Sequence, residues 1–363
     1  MIQGDRIYFQ GLDGIRAIAA IIVIIFHIDQ FLYLFGLPSF NYHKTGMAYF
    51  GVILFFVLSG YLITYLLLTE KIKYGQVDLA RFYMRRVLRI WPIYYLVLVV
   101  SFLLISNDLM APNSDIQLTF ILHSSFLSNV SFSFGFSLLS IAPLWSVAVE
   151  EQFYFFWPFL INNSKRIVYS LIAFALIYLF LKVCLRFTEN GPLYSLISMT
   201  TFDSMAVGGI GAYCVFSNSR ILKLFYHPAI QVISWALLVG SVLFKPFHVS
   251  SLIDTEIHSF FYLVIIVNVS TNSNSIVKLN GSIYNLIGQI SYGLYVYHML
   301  LILILSYALK DVLLFVNDSF LRYLIVYFSV IFSTFFVAYV SYVFFEKIFL
   351  RYKLRFSKIL SYK

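Results

Sequence analysis

Arg16 and His27 stand eleven positions apart in the apolar run GLDGIRAIAAIIVIIFHIDQF. Eleven residues make three helical turns, so both side chains share one face, with the imidazole about 16 Å farther along the axis. The spacing predicts an Arg at the membrane surface above a lone imidazole near the bilayer midplane. Ionisable groups inside a membrane are costly and mark function by default. Imidazole is the side chain best suited to proton transfer at neutral pH, so His27 is the candidate general base. The plainer alternative is a neutral His bridging two helices.

Three further runs hold residues with chemical potential. FFVLSG, residues 55–60, places Ser59 and Gly60 in mid-span near the depth of His27. Small residues there serve either close helix packing or a gap for a ligand tail, with Ser59 offering a hydroxyl. RFYMRRVLRIWP, residues 81–92, gathers Arg85, Arg86 and Arg89 at one end of a span. Arg86 and Arg89 share a helix face and match phosphate oxygens bidentately, although basic anchoring at the cytoplasmic surface would use the same residues. With Arg16 at the same entrance, the cluster suits a nucleotide-bearing donor. LWSVAVEEQFYFFWP, residues 144–158, carries Ser146 and Glu150 at i,i+4. Glu150, two turns into its span, is a candidate to orient His27 or hold acceptor hydroxyls. Asp203 in FDSMAVGG is a candidate for the same support, and His298 in SYGLYVYH is either a second such group or a bond between helices. Glu346 is expected to pair with a neighbouring Lys or Arg. The chain shows no G-x-S-x-G elbow, Walker A loop, H-E-x-x-H or cysteine metal pair, so no metal site is expected.

These residues need a frame, and composition supplies it. Of 363 residues, 61% are hydrophobic and 11% charged, less than half the usual charged share of a soluble domain, which makes this an integral membrane protein. Apolar stretches long enough to span occur at about 12–34, 47–69, 88–106, 143–161, 167–185, 194–217, 228–244, 254–271, 289–309 and 321–345. The runs are continuous rather than alternating, so an all-α polytopic protein with about ten transmembrane helices is expected rather than a barrel. The first run is followed by Asp29 and Gln30 with no small-residue cleavage site, so it reads as a retained span. With the N-terminus in the cytoplasm, nineteen Lys and Arg fall on the inner side and six on the outer (Lys44, Lys182, Arg186, Lys245, Lys310 and Arg322). Both termini are therefore expected to be cytoplasmic, and the net charge of +9 reports topology rather than nucleic-acid binding. The outer loop 107–142, rich in Ser, Asn and Phe, either covers a site or lies on the surface. Cys184 and Cys214 imply no disulfide framework. Proton-coupled transport would use the same intramembrane Arg, His, Asp and Glu, but the chain lacks an internal repeat and its Arg cluster lies at one mouth only.

Together, LDGIRAIAAIIVIIFH, FFVLSG, RRVLRIWP, LWSVAVEEQFY and SYGLYVYH resemble the acyltransferase 3 family of integral membrane O-acyltransferases, over about residues 6–346. The resemblance implies transfer of an acyl group, typically acetyl, from cytoplasmic acyl-CoA to a hydroxyl of a cell-surface or exported glycan such as O-antigen or exopolysaccharide. The enzyme would sit in the inner membrane. The family's Arg-x10-His pair falls on Arg16 and His27, and its Arg-rich motif on Arg86 and Arg89. The expected assignment is thus His27, Glu150, Ser59 and Asp203 for catalysis and Arg16, Arg86 and Arg89 for the donor, with transfer direct or through a transient acyl-enzyme. Two departures stand out. Some relatives carry a periplasmic hydrolase-like domain after the membrane part, whereas residues 1–363 are expected to form a single membrane domain. The family's Glu-x-Pro at the end of the last span is here Glu346, Lys347, Ile348.

Overall fold

The computed structural model describes residues 2–3, 6–7, 9–40, 47–106, 115–188, 191–244 and 247–357. Lys44, Lys245, Lys358 and Lys363 of the charge count, the side chain of Arg6, and residues 107–114 of the long outer loop lie outside that description. Ile2–Gln3 and Arg6–Ile7 form a two-residue antiparallel ladder; the rest is helical. In order come α1 (Leu12–Gln30), α2 (Met47–Tyr74), α3 (Leu79–Ser106), the short α4 (Ile116–Ser124) and α5 (Ser128–Ser133), α6 (Leu144–Asn163), α7 (Ile167–Arg186) and α8 (Gly191–Thr200). They are followed by α9 (Phe202–Phe216), α10 (Leu222–Phe225), α11 (Pro228–Leu243), α12 (Asp254–Thr271), α13 (Ser282–Leu314), α14 (Ser319–Ser341), a π-turn at Tyr342–Glu346, and α15 (Lys347–Leu354).

Among the described residues, five stretches are long and apolar enough to cross a membrane: 48–74, 79–105, 167–186, 282–314 and 319–354. Each apolar run of the sequence falls on helix, with one correction. The run 194–217 is two helices, α8 and α9, separated at Thr201, whose φ of 37° is left-handed. A β-branched residue there ends the intrahelical ladder of α8, and α9 starts in a new direction. The helix of the third run also begins earlier than expected, at Leu79, so Arg85 and Arg86 lie within it rather than ahead of it.

The frame is tightest between α2 and α9. A Cβ on Gly60 would lie 1.9 Å from the Met205 carbonyl oxygen, and one on Gly208 2.1 Å from that of Val57. The backbones touch because neither residue has a side chain, which is how helices associate where no hydrophobic force separates protein from lipid. Of the two readings of the small pair in α2, Gly60 follows the packing one. The same device joins α1 to α13, where a Cβ on Gly288 would meet the Asp13 carbonyl oxygen at 2.3 Å. Trp157 Nε1 donates to Thr64 Oγ1 at 2.8 Å and fastens α6 to α2. Tyr94 and Tyr95 donate to the carbonyls of His123 and Ser124 at 2.7 and 2.9 Å, and Ser128 Oγ donates to that of Leu144 at 2.9 Å. Residues 115–142 are therefore bound down against α3 and α6.

Candidate active site

Between α1, α2, α3, α6 and α13 lies a cavity of about 150 Å³. Its lining is mixed: Arg16, Arg86 and Arg89 face it together with apolar side chains, Val52, Phe55, Phe56, Leu58 and Leu62 among them. Ser59, Ser146, Glu150 and Tyr154 place polar atoms in the same wall. Ser146, Glu150 and Tyr154 are successive i,i+4 positions, so α6 turns one polar stripe into the cavity.

Arg86 faces this space from within the protein. Its guanidinium lies 5.4 Å from the Tyr154 ring centroid and 5.7 Å from that of Phe82, a cation held on aromatic faces. Its Nε is buried without a hydrogen-bond partner among the described residues. A buried donor left open is costly unless a ligand satisfies it. Arg85 is occupied elsewhere: it pairs with Glu70 at 3.1 Å and donates to the Phe356 carbonyl at 2.9 Å, closing the chain end against α3. Arg16 bonds Asp13 at 2.5 Å, one turn earlier on α1, and Asp13 also lines the cavity. Ser59 and Tyr154 hydroxyls are bonded to each other across α2 and α6.

His27 stands in the last turn of α1, beyond the cavity lining, and the side chain it meets is His298 of α13 rather than Glu150 or Asp203. Its Nδ1 lies 3.0 Å from Nε2 of His298, with the rings stacked at 4.9 Å between centroids. His298, wholly buried, bonds through Nδ1 to the Tyr295 carbonyl oxygen at 2.5 Å. Tyr295 is the link to the cavity: its ring meets Phe55 at 5.8 Å, and its hydroxyl bonds Ser146 Oγ at 2.6 Å. Tyr295, part of the cavity wall, thus also contacts His298, while neither imidazole lines the cavity.

Asp203 is not in the cavity. With Glu256 of α12 it holds the ammonium of Lys182, at 3.2 Å from Asp203, inside the α7–α9–α12 contact. Glu346 lies within the field of Arg89 and bonds Ser341, and its buried Oε1 has no hydrogen-bond partner among the described residues. It ends the π-turn that joins α14 to α15. Tyr154 and Tyr295 were not singled out from sequence. Extending the Ser146–Glu150 spacing by one more turn reaches Tyr154, and Tyr295 lies in the SYGLYVYH run one turn before His298.

These features match a known group of proteins. The family model described as Acyltransferase domain covers residues 9–343, and the chain belongs to that family, acyltransferase 3. Among similar curated proteins, the peptidoglycan O-acetyltransferase OatA of Listeria monocytogenes is 28% identical over 323 residues, covering 81% of this chain and 49% of its own length. The O-acetyltransferase OatA of Staphylococcus aureus is 31% identical over 202 residues, covering 52% and 32%. A putative O-acetyltransferase of Staphylococcus aureus is 38% identical over 159 residues, covering 42% and 24%. The matched part of the chain spans about half the length of these relatives or less. No solved structure matches.

Proposed function

We propose that the protein is a ten-span inner-membrane O-acyltransferase that moves an acyl group, acetyl in the first instance, from acyl-CoA to a hydroxyl of a glycan outside the cytoplasm. The observation that carries this reading is a cavity whose lining holds three arginines together with the apolar side chains of α2. That mixture fits a molecule with phosphates at one end and a thioester on a flexible arm at the other. Arg86 and Arg89 hold the phosphates, and Arg16 joins them by exchanging its bond to Asp13. The arm lies along Phe55, Phe56, Leu58 and Leu62. The hydroxyls of Ser59 and Tyr154 supply a hydrogen bond to the thioester oxygen, and Glu150 beside them receives the acceptor.

His27 works from beyond the cavity lining. Its Nε2 takes the proton of the acceptor hydroxyl, the hydroxyl oxygen attacks the thioester carbon, and the carbon–sulfur bond breaks. The imidazolium then returns the proton to the departing thiolate, giving the ester and free CoA. The thioester meets His27 when the Tyr295–Ser146 contact parts. The acetyl donor is favoured by the relatives' names, and peptidoglycan in one of those names favours a glycan acceptor. The test is direct. Purified protein given acetyl-CoA and a glycan fragment should release free thiol in step with ester formation. Thiol release that never depends on acceptor, or no release with any glycan, would overturn the reading; transport would leave the thioester intact.

Two expectations follow from this assignment. Arg86→Lys with Arg89→Lys keeps both charges but loses the planar fork, so donor affinity should fall by about tenfold or more while turnover at saturating donor falls less. Unchanged donor binding would reduce the pair to surface anchors. Sidedness is checked by single cysteines in a background lacking Cys184 and Cys214. Ser125→Cys and Arg351→Cys, both at exposed positions, should react with a membrane-impermeant thiol reagent from opposite faces, outside and inside respectively. Reaction from one face would refute cytoplasmic termini and the two-sided mechanism together.

A further inference from the structure

We propose that His298 is a positioning residue that fixes the tautomer of His27. This rests on the role given to His27 above. The argument starts from the Tyr295 carbonyl, 2.5 Å from His298 Nδ1. A carbonyl oxygen only accepts, so Nδ1 of His298 carries the hydrogen and donates. A neutral imidazole has one such hydrogen, which leaves the lone pair on Nε2. That nitrogen lies 3.0 Å from Nδ1 of His27, so His27 must donate there and hold its own hydrogen on Nδ1. The lone pair of His27 is then on Nε2, on the ring edge away from His298.

The arrangement differs from a carboxylate orienting a catalytic imidazole. A carboxylate would add a full negative charge at a wholly buried position of a membrane protein, whereas two neutral rings add none. When His27 takes a proton at Nε2, its Nδ1–H still donates to Nε2 of His298, so the bond survives the step. His298 does not pass the proton on, because its other nitrogen faces a carbonyl that neither gives nor accepts one. It lines no part of the cavity; besides His27 it touches Tyr295.

The experiment compares His298→Gln with His298→Leu, two side chains of similar size. The Gln oxygen can accept from His27 Nδ1; Leu cannot. His298→Leu should lower kcat about 10²-fold with the KM for acyl-CoA unchanged, and His298→Gln should recover most of the loss. Leu with wild-type kcat, or Gln no better than Leu, would overturn the proposal. His27→Ala, run alongside, separates the two layers: if it turns over normally, the base assignment itself falls. If it is dead while both His298 variants are fully active, only the positioning role falls.

Discussion

His27→Ala should abolish acyl transfer while leaving a correctly inserted protein that still binds acyl-CoA. The expected loss is roughly 10²–10⁴-fold, the usual worth of a general base. Geometry makes the two readouts separable. The donor cavity is lined by α1 through Arg16 and not through His27, which lies three turns away and meets His298 through its Nδ1. Removing the imidazole should therefore spare donor affinity, the reverse of the pattern expected when Arg86 and Arg89 become Lys. Steady-state kinetics in proteoliposomes, with donor binding measured apart from turnover, checks both. Near-normal turnover in the inserted variant would remove His27 from the mechanism.

The second large effect is on the fold. Gly60→Val should prevent native packing of α2 on α9, at a cost of about 3 kcal/mol or more, because the obstacle is backbone and cannot rotate away. The new Cβ would begin 1.9 Å from the Met205 carbonyl oxygen, and its methyls would add to the clash. Gly240→Val is the matched control, since no heavy atom lies within 4 Å of its added Cβ. The first variant should elute as aggregate from detergent or melt far below wild type, and the control should behave as wild type. Equal melting of the two would mean that α2 and α9 are not in backbone contact.

What sequence reasoning reached, and what it did not, follows from the range over which each signal acts. Apolar run length is local, so the helices fall where hydropathy puts them. The break at Thr201 escapes because no Gly or Pro marks it. The i,i+4 stripe on α6 was half legible: Ser146 and Glu150 were paired, and Tyr154 completes it one turn later. Arg16, Arg86, Arg89, Ser59 and Glu150 share a cavity as a face-and-depth argument suggests. His27 shows the limit of that argument. Its face on α1 is fixed by spacing, but the helix it meets is chosen by packing 271 positions away in the chain, which periodicity does not encode. Lys182 shows another. Charge counting entered it as an outer surface cation, yet it is buried between two carboxylates, and a count of loop charges has no term for an ion pair between helices.

That ion pair has a consequence for how the chain is made. α7 otherwise turns mainly apolar side chains outward, as the exposure of Leu176, Ile177 and Phe180 shows, and Lys182 is the charge it must shelter. Asp203 is synthesised 21 residues later, but Glu256 follows only after 74. During synthesis α7 therefore enters the bilayer with its ammonium held by one carboxylate at best, and the second arrives with α12. A nascent chain stopped between α9 and α12 should sit at the insertion machinery with α7 still exchangeable with water, and the arrival of α12 commits it to the lipid. The second carboxylate of the ion pair thus waits for α12, long after α7 itself is made.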